Sequence, residues 1–143
     1  MYQTILVALD LVKTETCPVL KKARELQKLT GGKIHLIHVV EQFYTYDTPP
    51  YPFDLNEIQD QVIEAAEEKL GKVAEEFNVP ESRRYVPVGS AKERILEAAQ
   101  EIKADLIVVG SHSRQGISYL ILGSTANGVL HGATCDVLAV RAQ

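Results

Sequence analysis

Short apolar runs alternate along this chain with longer stretches in which apolar residues recur every three or four positions. The short runs are residues 4–9 (TILVAL), 34–40, 84–88, 106–109 and 136–140. Of these, residues 106–109 form an unbroken apolar run, which fits a strand covered on both faces, as in a parallel sheet. Four stretches between them have helical spacing. In residues 18–29 the stripe is Val19, Leu20, Ala23, Leu26 and Leu29, with Thr16 as cap, Pro18 in the first turn, and Gly31 and Gly32 as stop. The second helix starts near Asp54 with Glu57 as its capping partner, and its stripe runs from Leu55 through Ile58, Val62, Ala66, Leu70 and Ala74 to Phe77. Ser90 and Glu93 cap the third, and the fourth begins at Gly123.

The order β-α-β-α-β-α-β-α-β calls for a mostly parallel sheet with helices on both faces. Residues 84–88 contain Pro87, which places that strand at an edge. Ligands of such sheets lie beyond the carboxyl ends of the strands, where the strand order reverses. Asp10, Val40 and Gly110 sit at carboxyl ends.

The stretch from Ala104 to His131 concentrates these signals. Gly110 is expected to end the fourth strand, and Gly123 to let the backbone come close to something at the next helix start. Ser124 and Thr125 follow, and the first turn of that helix has no acid. A helix N-terminus offers free N–H groups and about half a positive charge, so a bare one is a ready anion site. The alternative is an ordinary strand-to-helix connection, with the glycines as turn residues and a serine as cap.

Composition narrows the function. The 143 residues suit one domain, residues 1–143, and 45% hydrophobic with 24% charged residues is ordinary for a globular protein. A net charge of -4 and a pI near 5.6 argue against a nucleic-acid surface. No apolar run approaches a membrane span. MYQTILVALD reads as a first strand and not as a signal peptide, and with Cys17 and Cys135 the only cysteines, a reducing cytoplasm and free thiols are expected.

Several known chemistries are missing. There is no G-x-x-x-x-G-K-[ST] string, no glycine fingerprint after the first strand, and no G-x-S-x-G elbow around Ser113. His35 and His38 are three apart on a strand, so they face opposite sides, and protein side chains are not expected to hold a metal. A phosphoacceptor receiver would need acids around Asp10 and a late lysine, yet no lysine follows Lys103.

Taken together, TILVALD, LIHVV and ADLIVVGSHSRQG…LGSTANGVLHGATCDVLAVR resemble the universal stress protein family. The resemblance covers essentially the whole chain. It implies a three-layer, doubly wound, five-stranded parallel sheet (α/β, adenine nucleotide α-hydrolase-like) with strand order 3-2-1-4-5. The family's nucleotide motif is G-x2-G-x9-G followed by Ser or Thr, and it falls here on Gly110, Ser113 and Gly123, with Ser124 and Thr125 next. By resemblance, Ala8 and Asp10 hold ribose and adenine, Val39 lines the adenine site, and Gly110, Ser113, Gly123, Ser124 and Thr125 hold the phosphates of ATP, with Mg2+ bound through those phosphates. Ser113 stands where the family has glycine. The family also implies a homodimer paired through strand five.

The function expected is therefore a cytoplasmic stress-response switch or sensor that binds ATP without an evident general base. Binding is expected to order residues 111–122 and so change what protein partners meet. The alternatives are a nucleotide-independent interaction module using the aromatic loop of residues 43–53, and a slow ATPase.

Overall fold

The computed structural model describes residues 1–11, 16–41, 55–111 and 123–141. Its elements run β1 (Thr4–Ala8), α1 (Thr16–Thr30), β2 (Lys33–Ile37), α2 (Leu55–Glu76), a 3-10 turn (Glu81–Arg83), β3 (Arg84–Tyr85), α3 (Ala91–Ile102), β4 (Leu106–Ser111), α4 (Ser124–Gly132) and β5 (Asp136–Arg141). All strand pairs are parallel, and the sheet order is β3-β2-β1-β4-β5, as the family resemblance implies.

The pleat divides the core in two. Ile5, Val7, Ile34, Leu36, Leu106 and Val108 pack with α1 and α2 through Leu20, Ala23, Leu70 and Ala74. Leu6, Ile37, Ile107 and Val109 pack on the other face with Ile95 and Ala99 of α3 and Ala126 and Val129 of α4. Ile5, Leu6 and Val7 are fully buried because β1 is central and covered on both faces. Each such side chain contributes about 1.5–3 kcal/mol by leaving water.

Element limits depart from the expected ones where pairing decides. Residues 34–40 are not one strand: β2 ends at Ile37, and only an isolated Val40–Val88 bridge follows. β3 is likewise short. The His38 amide donates to the Tyr85 carbonyl at 3.0 Å and the Val40 amide to that of Pro87 at 2.9 Å. The reciprocal donor would be the amide of residue 87, which proline lacks. Gly110 does not end its strand. It pairs with Val140, and Ser111 with Arg141, so a full partner in β5 outweighs glycine's weak strand preference.

Helix limits follow their caps. The Ser90 side chain accepts from the Glu93 amide at 3.5 Å, as expected. α1 begins at Thr16, so Thr16 is its first residue and not its cap. Gly31 takes φ +75 just after α1, and a side chain on Gly32 would stand 2.1 Å from the Tyr2 carbonyl oxygen. Leu29 is 83% exposed. It lies nine residues from buried Leu20, two and a half turns on, hence on the opposite side. Val62 is also exposed, since burial on α2 begins at Ala66.

The amino ends of the central strands are tied by Asp105. Its carboxylate accepts from the Gln3 amide at 2.8 Å and the Thr4 amide at 3.0 Å, while its own amide donates to the Thr4 carbonyl at 3.0 Å. Burial acts to raise the Asp105 pKa, but the amide donors outweigh it and the pKa falls below the usual carboxylate value. Nearby, Tyr2 takes φ 41 and its hydroxyl donates to Asp136 at 2.7 Å.

Asp105→Ala should lower unfolding stability at pH 7 by about 1–2 kcal/mol, the worth of charge-assisted hydrogen bonds to two amides. Because the folded pKa is depressed, the wild-type advantage is complete above the unfolded pKa and shrinks as pH falls through the folded one. Urea titrations at pH 7 and in the acid range should show the two proteins converging in acid.

Candidate functional site

The carboxyl ends of the strands separate at the point where the strand order reverses. β1 pairs with β4 only as far as Val7 and Val108. β4 then runs on beside β5 to the Ser111–Arg141 pair. β1 stays with β2 to Ala8 and Ile37, and the Leu9 amide donates to the Ile37 carbonyl at 2.9 Å. A crevice between β1 and β4 follows, since their following helices α1 and α4 pack on opposite faces.

Several of the candidate residues come together around this crevice. Ala8 and Val39 are half-buried and pack against the cluster on the α3–α4 face. Ala126, in the first turn of α4, is buried in that same cluster. Gly110 lies in β4 beside them, and Asp10 is exposed just beyond β1. Ser113 and the aromatic loop of residues 43–53 lie outside the described residues.

The start of α4 is open. Gly123 is its N-cap at φ -56 and ψ 156, with no side-chain cap and no acid in the first turn. The first amide to find a helical partner is that of Asn127, which donates to the Gly123 carbonyl at 2.9 Å. A Cβ on Gly123 would meet nothing within 4 Å among the described residues. Neither its φ nor its packing there requires glycine. Ser124 is exposed and Thr125 half-buried at the same end. Amides without partners among the described residues, and a dipole that no first-turn acid offsets, favour an anion at this point.

The Val39 peptide is the second open group. Hydrogen bonds along this segment alternate, with Ile37 bonded toward β1 and His38 and Val40 toward β3. Val39 therefore faces the β1 side, yet its N–H and C=O have no partner among the described residues.

Reading the chain alone passed over two residues. His38 reads there as packed or solvated, but its Nδ1 lies 2.8 Å from the Leu9 carbonyl oxygen. Ser111 falls on the α3–α4 face by alternation from Ile107 and Val109. The alternation was available for Ser111 once the strand was known to pass Gly110. The His38 contact needed the β1–β2 register. His35 is engaged elsewhere: its Nδ1 is 2.9 Å from the Tyr85 hydroxyl and the rings stack at 5.8 Å. Burial first, then the nearby Arg83 and Lys33 charges, lower the His35 pKa. No cluster of three or more His, Cys, Asp or Glu able to hold a metal occurs among the described residues. No described helix is long and apolar enough to cross a membrane.

The sheet order and its reversal between β1 and β4 define a doubly wound α/β protein with a crevice at the carboxyl edge of the sheet. The family model for the universal stress protein family matches residues 1–141, and the chain belongs to that family. It is 43% identical to universal stress protein A homolog 2 of Coxiella burnetii, over 98% of this chain and 95% of that one. Among solved structures, the universal stress protein UspA from Lactobacillus plantarum shares the fold with a TM-score of 0.79 at 23% identity, covering 98% of each chain. A universal stress protein in complex with cAMP superposes with a TM-score of 0.64 at 22% identity, over 99% of this chain and 98% of that one.

Gly123→Ser should leave the unliganded protein at least as stable as the wild type, because serine is as good an N-cap or better. Denaturant unfolding without ligand checks this. A loss of more than about 1 kcal/mol would mean that the fold itself needs glycine at this position.

Proposed function

We propose that this protein is a stress-response switch or sensor that binds ATP in the β1–β4 crevice. The observation that carries the reading is the open start of α4. A glycine stands there without need of its conformation or of space from the described residues, next to amides that have no partner among those residues. A ligand phosphate approaching closely gives such a glycine its reason. In this reading Ala8 and Asp10 hold the ribose and adenine, and the Val39 peptide, without a partner among the described residues, meets the base. Gly110, Ser113, Gly123, Ser124 and Thr125 surround the phosphates. Bound Mg2+ would offset phosphate charge, carried by the nucleotide and not by protein ligands. The solved relative that holds cAMP supports an adenine nucleotide as the ligand class.

The protein acts in the cytoplasm as a homodimer joined along β5. β5 is a six-residue edge whose Val137, Leu138 and Val140 remain half-buried. A long apolar edge is a template for another strand, and soluble proteins avoid leaving one bare. The opposite edge, β3, has two residues and is followed by Pro87, so it offers little to pair with.

Melting with and without millimolar ATP and Mg2+ tests the nucleotide site. At a hundred times its dissociation constant the ligand should add about 2.7 kcal/mol. Gly123→Val should lose that gain and keep its unliganded melting temperature. No shift in the wild type overturns the reading and favours a nucleotide-independent interaction module. Ser113→Gly then identifies the cause, since affinity gained would mean that the serine blocks the site. Sedimentation of the wild type should give twice the chain mass, and a monomer would overturn pairing through β5.

A further inference from the structure

The ladder between β1 and β2 ends in an unusual way. After the Leu9 amide donates to the Ile37 carbonyl, the next parallel bond would run from the Val39 amide to the Leu9 carbonyl. That carbonyl is instead met by His38 Nδ1 at 2.8 Å. A carbonyl only accepts, so Nδ1 carries the proton. The main chain of His38 meanwhile donates to the Tyr85 carbonyl on β3 at 3.0 Å. One residue thus binds both neighbouring strands, by its amide on one side and its ring on the other.

We infer that His38 is a positioning residue of the proposed nucleotide site, an inference that rests on the reading above. Its ring occupies the acceptor that would otherwise pair with the Val39 amide. The Val39 N–H and C=O are then left facing the β1 side with no partner among the described residues. In an extended segment the N–H and C=O of one residue point the same way, so together they present a donor beside an acceptor. A planar ligand edge with the complementary pair fits such a doublet. His38 touches no ligand in this scheme and acts through the Val39 peptide. It also satisfies the Leu9 carbonyl in place of that amide.

Three readouts on the full-length chain test this. Long-range nitrogen NMR should find the His38 proton on Nδ1, and a ring protonated at Nε2 alone overturns the inference. Without nucleotide, the Val39 amide should exchange quickly in the wild type and at least about tenfold more slowly in His38→Leu, where the Leu9 carbonyl becomes available to it. Equal exchange in the two proteins also overturns it. With MgATP, His38→Leu should bind about tenfold more weakly, and His38→Asn, whose Nδ2 lies where Nδ1 did, should recover most of the loss. Equal weakening in both variants would mean that the imidazole acts only as bulk and would sink the positioning role. If the wild type binds no ATP while the tautomer and exchange results hold, the strut stands and the nucleotide reading fails.

Discussion

A strand in a parallel sheet must hydrogen-bond on both sides, yet at the reversal of strand order its two neighbours lead to helices on opposite faces. β1 is that strand here. Its bonds to β4 stop at Val7 and its bonds to β2 at Leu9. Past those points the peptide groups need other partners, because an unpaired buried amide or carbonyl costs about as much as a lost hydrogen bond. The shape of the carboxyl edge follows from how each group is answered. His38 answers the Leu9 carbonyl, while the Val39 peptide and the first turn of α4 remain open among the described residues. The same constraint that shapes the fold therefore produces the crevice.

An open edge persists only if the rest of the sheet is rigid. The two core clusters meet across β1, where Ile5 and Val7 serve one face and Leu6 the other. At the amino end Asp105 joins the starts of β1 and β4, and the Tyr2 hydroxyl reaches Asp136 at the start of β5. The amino ends of three strands are thus bound by side chains as well as by the ladder. The candidate binding groups sit at the far end, where backbone partners among the described residues run out. Tight tying at one end and open peptides at the other let a ligand site exist without loosening the core.

Much of this architecture is legible in the residues, and the reasons differ by element. Periodicity is enough for α2 and α3, because a stripe of apolar side chains at helical spacing has one plausible burial. Pro87 alone places β3 at an edge. Strand ends are less legible, since they depend on which neighbour continues. The apolar run 34–40 extends beyond Ile37, but neither β1 nor β3 keeps pairing regularly with it. Gly110 looks like a terminator until β5 is seen running beside it. The site divides in the same way. Gly123, Ser124 and Thr125 form a local pattern visible in the chain, and Ala8, Asp10 and Val39 came by resemblance to the universal stress protein family. The role of His38 depends on a contact across 29 residues, and neither spacing nor composition carries that.

The glycines give the last step. Gly31 and Gly32 are explained inside the protein, one by a left-handed φ and the other by contact with the Tyr2 backbone. Gly123 has an ordinary φ and open space where its side chain would be, among the described residues. A residue that caps helices poorly compared with serine, and that loses more entropy on folding than any other, is a net cost there unless something beyond the described residues uses the gap. Amides without partners among the described residues, together with the positive end of α4, would favour a negative charge in that gap. The Val39 doublet sets the hydrogen-bonding pattern at its other end. An anionic ligand with a planar, donor-and-acceptor edge satisfies both, and a bare phosphate satisfies only one. On the proposed reading, these two groups at the crevice would together favour a nucleotide over a simple anion.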